Sequence, residues 1–129
     1  MTAVHVLGGA QTDFAAKAGP AGLYGLMSDV VPRALELTGV EPHEVGTAHV
    51  GNLAGELYSN QAHLGAMLTT IDPAFHGLPA SRHEAACASG SIALLAAAAE
   101  IEAGRYDVAL VCGVEVMRNV PGARAAEIL

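Results

Sequence analysis

The sequence predicts a layered α/β/α domain, with helices covering both faces of a sheet. Three observations carry this expectation. Strand-like and helix-like stretches alternate in the order βαβαβαβ. The run DVALVCG at 107–113 is almost uniformly apolar, as a strand covered on both faces must be. Glycine and proline punctuate the junctions between the stretches.

The elements follow in order. AVHVLG at 3–8 reads as a first strand, closed by Gly8 and Gly9, and Gly19, Pro20 and Gly22 mark a loop. Over 23–37, Leu23, Leu26, Met27, Val30, Val31, Ala34 and Leu35 fall on one helical stripe. Pro32 predicts a kink or break within it, and Gly39 a stop. VGTAHV at 45–50 is a second strand leading into Gly51-Asn52. NQAHLGAMLTT at 60–70 is a helix starting near Ser59 or Asn60, and 72–79 is rich in turns. Residues 82–87 form a short third strand. The helix after it runs to about Ala103, capped by Ser89 and Ser91 and stopped by Gly104. Its expected buried face is Ile92, Leu95, Ala96 and Ala99, with Glu100 and Glu102 toward solvent. The strand at 107–113 is the fourth. The AAEIL near the end is too short for a packed helix, so the sheet is expected to be incomplete in this chain.

A chain of 129 residues can bury one modest core. Only 15% of its residues are charged and 52% are hydrophobic, which is apolar for the surface of so small a domain. Such a chain is expected to cover part of its surface, either as a homo-oligomer or as a piece of a larger fold. The net charge of −7 and the lack of a basic run argue against nucleic acid or an anionic membrane surface as partner. The beginning lacks the basic and apolar regions of a signal peptide. SIALLAAAAEIEA is too short to cross a membrane. Cys87 and Cys112 have neither zinc-site nor secreted-disulfide spacing, so a reducing cytoplasm fits best.

Chemistry concentrates in RHEAACASGSIALL at 82–95. A lone cysteine in apolar surroundings is more often a small buried hydrophobe, and that reading suits Cys112 inside VALVCGV. Cys87 differs because it sits between a strand end and the first turn of a helix. The free backbone N–H groups and dipole of that turn favour a thiolate. The same donors suit an oxyanion on an acyl group carried by sulfur. Gly90 permits a tight turn and close approach. From this context alone, a reactive thiol and an inert one stay equally open. A cysteine nucleophile also wants a base. His83 would lie more than about 10 Å from Cys87 along an extended strand. His49 and His76 could approach in space, but each is more commonly an ordinary surface or structural histidine. No Cys–His dyad follows from the sequence. GxGxxG, P-loop and HExxH patterns are absent, and no metal site is expected.

The order of motifs resembles the N-terminal part of a thiolase, most closely the sterol-carrier-protein-type branch. The matching segments are GGAQTDF after the opening strand, Gly51-Asn52, EAACASGSIAL and DVALVCGVEVM. The Cys87–Ala88–Ser89–Gly90 motif is the sharpest of them, and the resemblance spans essentially all of the chain.

That resemblance implies a partial N-terminal thiolase domain over 1–129, of a three-layer α/β/α thiolase-type fold. It implies acyl-CoA acyl transfer that forms or cleaves a carbon–carbon bond. Cys87 aligns with the acyl-accepting nucleophile, and its backbone N–H with part of an oxyanion hole. Coenzyme A thioester enters as substrate, no bound cofactor is expected, and no residue is assigned to hold it. The base and proton-transfer residues of the family lie in the C-terminal half, so neither role falls to a histidine here or to Cys112. In family members a fifth strand inserts between the first and fourth. The expected partner is therefore the rest of the thiolase fold, on the same protein or a second subunit, within a homo- or hetero-oligomer.

Two departures leave the branch and substrate open. QTDF replaces the more usual Arg-Thr-Pro-Phe-like stretch, and His83-Glu84-Ala85 replaces an Asn-containing lead-in. The alternatives within the fold are a ketoacyl-synthase-like condensing enzyme and a thiolase-like aldolase. Aldolases of this type often lack the nucleophile, so Cys87 argues for acyl transfer. A non-catalytic structural subunit is the third reading.

Overall fold

The computed structural model describes residues 3–15 and 18–129. In chain order the elements are α1 (Gly22–Thr38), β1 (Thr47–Gly51), α2 (Gly55–Ser59), α3 (Leu64–Met67), β2 (Ala80–His83), α4 (Ser89–Glu102), β3 (Ala109–Gly113) and α5 (Gly122–Ile128). Among the described residues the strands form one parallel sheet in the order β2-β1-β3. Because all three strands run the same way, they end along one edge. That edge of a parallel sheet is where ligands commonly sit.

Alternation along β1 splits its side chains between two faces. Ala48 and Val50 join Cys112 of β3 and the α1 residues Leu23, Met27, Val31 and Leu35 in the main core. Thr47, His49 and Gly51 face α4. Helices therefore cover both faces of β1, whose five residues are all buried.

α1 runs through Pro32 without the expected break. Pro32 is exposed, and the buried stripe Leu23, Met27, Val31 and Leu35 straddles it. An interior proline costs about 3 kcal/mol, whereas burying Val31 and Leu35 contributes about 1.5–3 kcal/mol each, so packing wins. The expected stop holds. Gly39 has φ 68°, its N–H donates to Glu36 O, and the Val40 N–H donates to Leu35 O, a Schellman ending. α4 ends the same way at Gly104, with Gly104 N–H to Ile101 O and Arg105 N–H to Glu100 O.

Other expectations are corrected. Residues 3–8 pair with no strand among the described residues, and Val6 and Leu7 stay 80% and 65% exposed. A strand needs a neighbour's ladder. Between this segment and β3 lies instead a cavity of about 750 Å³, lined by Val4, Val6, Met27, Leu94, Leu110 and Cys112 among others. The helix expected over 60–70 does not start at Ser59 or Asn60. Asn60, at φ 56°, terminates the short α2, and helix resumes at Leu64.

The strand expected over 82–87 ends at His83. On α4 the face toward the sheet is Ser89, Ala93 and Ala97, while Ile92 and Leu95 point outward at 41% and 64% exposure. The helix is apolar all round, so its period selects no side. Close approach to the sheet selects the small residues. The final segment does form a helix, α5, whose Ala125 and Ile128 pack against the core.

Candidate nucleophile site

β2 delivers the chain to the C-terminal edge of the sheet, and α4 carries it away. The turn between them holds Cys87. Ala86 adopts φ 48°, in the left-handed region that an L-residue enters at a cost. A single 3-10 turn, Ala86–Ala88, follows, and α4 starts at Ser89. The Cys87 side chain is exposed at this turn.

Local hydrogen bonds hold the turn. The Ala86 N–H donates to Glu84 Oε1 at 2.7 Å, and the Ala88 N–H to Ala85 O at 2.9 Å. Ser89 was expected as a helix cap, but α4 has no side-chain cap. Its buried hydroxyl instead accepts from Ala85 N–H at 2.9 Å and donates to Ala86 O at 2.7 Å, pinning both sides of the strained residue. The polar C–O–H group thus satisfies the turn rather than the helix end.

The turn is also tied to the sheet. The Asn52 N–H donates to His83 O at 3.0 Å. Its side-chain NH₂ donates to Val114 O at 2.8 Å, and its Oδ1 accepts from Gly55 N–H at 2.8 Å. Asn52 is 1% exposed and so joins the ends of β1, β2 and β3 to the start of α2. Glu115 completes this knot. Its Oε2 accepts from Leu53 N–H, Ala54 N–H and Asn52 Nδ2, and its Oε1 from Val116 N–H. Charge-assisted bonds of this kind are the strong ones. Sequence reasoning quoted Asn52 and Glu115 within motifs but gave them no role. The available signal was a polar residue within two positions of each strand end.

The histidines do not gather at Cys87. His49 is 4% exposed and lies under α4. Its Nδ1 is 2.9 Å from His83 Nε2, and its Nε2 is 3.2 Å from Glu100 Oε2. Glu100, expected at solvent, therefore turns inward to the sheet. His83 also contacts Ser81 Oγ at 2.9 Å. Among the described residues no histidine ring hydrogen-bonds the Cys87 sulfur. Cys112 sits in the core with its thiol pushed up to about 11 by burial, which keeps it protonated and unreactive near neutrality.

On β2, Arg82 pairs with Glu56 of α2 through both terminal guanidinium nitrogens. The hydrogen bond from Arg82 holds the Glu56 carboxyl below its ordinary value. Among the described residues, no cluster of three or more His, Cys, Asp or Glu side chains could hold a metal ion, and no helix is long and apolar enough to cross a membrane.

Comparison with known proteins gives the family of the chain. Residues 1–129 match the family model described as thiolase, N-terminal domain. An acetyl-CoA acetyltransferase of Methanocaldococcus jannaschii is 32% identical over 126 residues, covering 98% of this chain and 32% of that protein. One from Methanothermobacter thermautotrophicus is 30% identical over 120 residues, covering 93% and 31%. The human mitochondrial acetyl-CoA acetyltransferase is 33% identical over 100 residues, covering 74% and 22%. The chain thus spans about a third of the length of the archaeal relatives. On the match over its whole length, the chain belongs to the thiolase family and corresponds to that family's N-terminal domain.

Proposed function

We propose that this chain supplies the nucleophile of a thiolase-type acyl-CoA acyltransferase, the activity named for its relatives. The observation that carries the reading is Cys87, exposed on a strained turn at the start of a helix at the C-terminal edge of a parallel sheet. The thiolate of Cys87 attacks the thioester carbonyl of acyl-CoA. The tetrahedral oxyanion is stabilised by the backbone N–H of Cys87, since those of Ala85, Ala86, Ala88 and Ser89 are bonded within the turn. Its collapse breaks the bond from carbon to the CoA sulfur, CoA leaves as its thiolate, and the acyl group remains on Cys87. Transfer to the carbon of a second acyl-CoA requires a base that this reading assigns to no residue here.

The rest of a three-layer thiolase-type fold is proposed as the partner of this chain, in the same protein or a second subunit of an oligomer. Three features support this. The outward side of α4 carries the exposed apolar residues Ile92, Leu94 and Leu95. The far edge of β3 has no strand beside it among the described residues. The cavity between β3 and residues 3–12 has room for further chain. The sterol-carrier-protein-type branch rests on the resemblance of GGAQTDF, Gly51-Asn52, EAACASGSIAL and DVALVCGVEVM, and a cytoplasmic setting on the two unpaired cysteines.

One observation favours a second reading. His83, the histidine nearest Cys87 in sequence, contacts His49, which in turn contacts Glu100, rather than sulfur, as a non-catalytic thiolase-fold subunit would allow. Intact-mass analysis of the protein, with any chains that copurify, after incubation with acetyl-CoA separates the two. An acetyl adduct on Cys87 that Cys87→Ala abolishes supports acyl transfer. Absence of any adduct in the complete assembly sinks it.

A further inference from the structure

Polar groups buried between a sheet and an apolar helix destabilise the fold unless they are paired. Beneath α4 the buried Thr47 and His49 are paired in a chain that runs out through the half-buried His83 and Glu100 to the exposed Ser81. His49 on β1 contacts His83 Nε2 and Ser81 Oγ on β2 through Nδ1, at 2.9 and 3.3 Å. Through Nε2 it contacts Glu100 Oε2 on α4 at 3.2 Å and Thr47 Oγ1 at 3.4 Å. Arg105, just past α4, stands 3.7 Å from Glu100. β3 contributes only Val111 at the same level of the sheet. The two imidazole rings lie 5.1 Å apart between centroids.

Proton counting limits what this chain can hold. One short N···N contact accommodates one hydrogen. With both rings neutral, His49 Nε2–H donates to the Glu100 carboxylate, and His83 Nε2–H donates to His49 Nδ1. With one proton added, His49 donates from both nitrogens and His83 Nε2 accepts, its own proton having moved to Nδ1. A second added proton sets two N–H groups and two positive charges face to face, and the contact cannot survive.

We propose that Glu100–His49–His83 is a one-proton clamp that holds β2 and α4, the two arms of the Cys87 turn, against β1, and that a second proton releases it. Position connects the clamp to the turn. His83 is the last residue of β2 and its carbonyl is held by Asn52, while Ala85 and Ala86, the next residues but one and two, make the bonds that order the turn. Burial, and after it the neighbouring His49, pushes the His83 imidazole below the ordinary histidine value against the pull of Glu100. The clamp goes beyond acyl transfer and does not depend on it.

The test uses the full-length protein with any chains that copurify, and two readouts. In a histidine carbon-13 NMR titration, the ring pair is expected to take up protons in two coupled steps, the second displaced toward acid because it places two charges across one contact. Amide hydrogen exchange at Ala85 and Ala86, corrected for its intrinsic pH dependence, is expected to rise about tenfold across that second step. In His83→Gln, which keeps a donor and an acceptor but cannot titrate, the rise is expected to vanish. Independent titration of the two rings overturns the proposal. So does turn exchange that ignores the second step, or a rise that persists unchanged in His83→Gln. The wild-type titration decides the matter even if the variant does not fold.

Discussion

Gly51 at the end of β1 and Gly90 in the first turn of α4 meet backbone to backbone. A Cβ on Gly51 would stand 2.7 Å from both the Cα and the N of Gly90, and 2.8 Å from Ser89 C. These are main-chain atoms that no side-chain rotation can clear, so Gly51 sets how closely the Cys87 turn seats on the sheet.

Gly51→Ala is therefore expected to destabilise the protein by about 1–3 kcal/mol, the range for overpacking. Gly90→Ala is the control, because a Cβ there meets nothing within 4 Å. As a helical position it should be neutral or stabilised by up to about 1 kcal/mol. Denaturant unfolding of both variants checks the pair, and equal losses would refute the close-approach argument.

Asn52→Ala leaves Val114 O and Gly55 N–H without their side-chain partner in a buried site. Each unsatisfied group costs about 1–3 kcal/mol, so a loss of about 2–4 kcal/mol is expected. Asn52→Asp should be worse. It turns a carboxylate oxygen toward Val114 O and the Glu115 carboxylate, where the amide NH₂ now donates. Thermal melting distinguishes the order, and an Asp variant more stable than the Ala variant would contradict it.

The two thiols should separate cleanly by reagent. Cys87 is exposed, whereas Cys112 is 5% exposed with its thiol raised to about 11. Native protein at pH 8 is expected to take one iodoacetamide label, at Cys87, and denatured protein two. Peptide mapping reads the outcome, and native labelling of Cys112 at a comparable rate would mean that the core packing is wrong.

Stability should fall as the medium is acidified through two windows. His83 titrates below its ordinary 6.5 because burial and His49 disfavour its charge. A group whose folded value is depressed stabilises the fold above its unfolded value, so this contribution is complete above 6.5 and lost as pH falls below it. For Glu100, burial acts to raise the carboxyl, but hydrogen bonds from Thr47 and His49 and the charges of His49 and Arg105 outweigh it, leaving it below 4.5. Its contribution is lost below that value. Glu100→Gln should remove the lower window. Melting temperature against pH measures both, and a protein more stable at pH 5 than at pH 8 would reverse the sign.

The parts of the fold legible in the sequence were those decided by local chemistry. The ends of α1 and α4 at Gly39 and Gly104 followed from the freedom of glycine at positive φ. The strand 109–113 followed from a run with no polar face, although only its Cys112 is buried. Cys87 was singled out by a cysteine before a Gly/Ser cluster, and Cys112 as core by its apolar neighbours. Asn60 was misread because the same side chain that can start a helix also tolerates the left-handed turn that ends one. The inward face of α4 was misread because a helix apolar on every side offers no stripe to read.

By itself, then, the sequence determined the alternation of strands and helices, their glycine stops and the cysteine at the β2–α4 junction. All of these depend on residues near one another along the chain. Only the tertiary structure decided that His49, His83 and Glu100 meet, that Asn52 and Glu115 knot the strand ends, and that residues 3–8 lie unpaired beside a cavity. Those outcomes join residues 34 to 63 positions apart, or depend on whether a neighbouring strand is present. The physical reason is that burial and hydrogen-bond satisfaction are settled by what the fold brings into contact, and no local pattern encodes that.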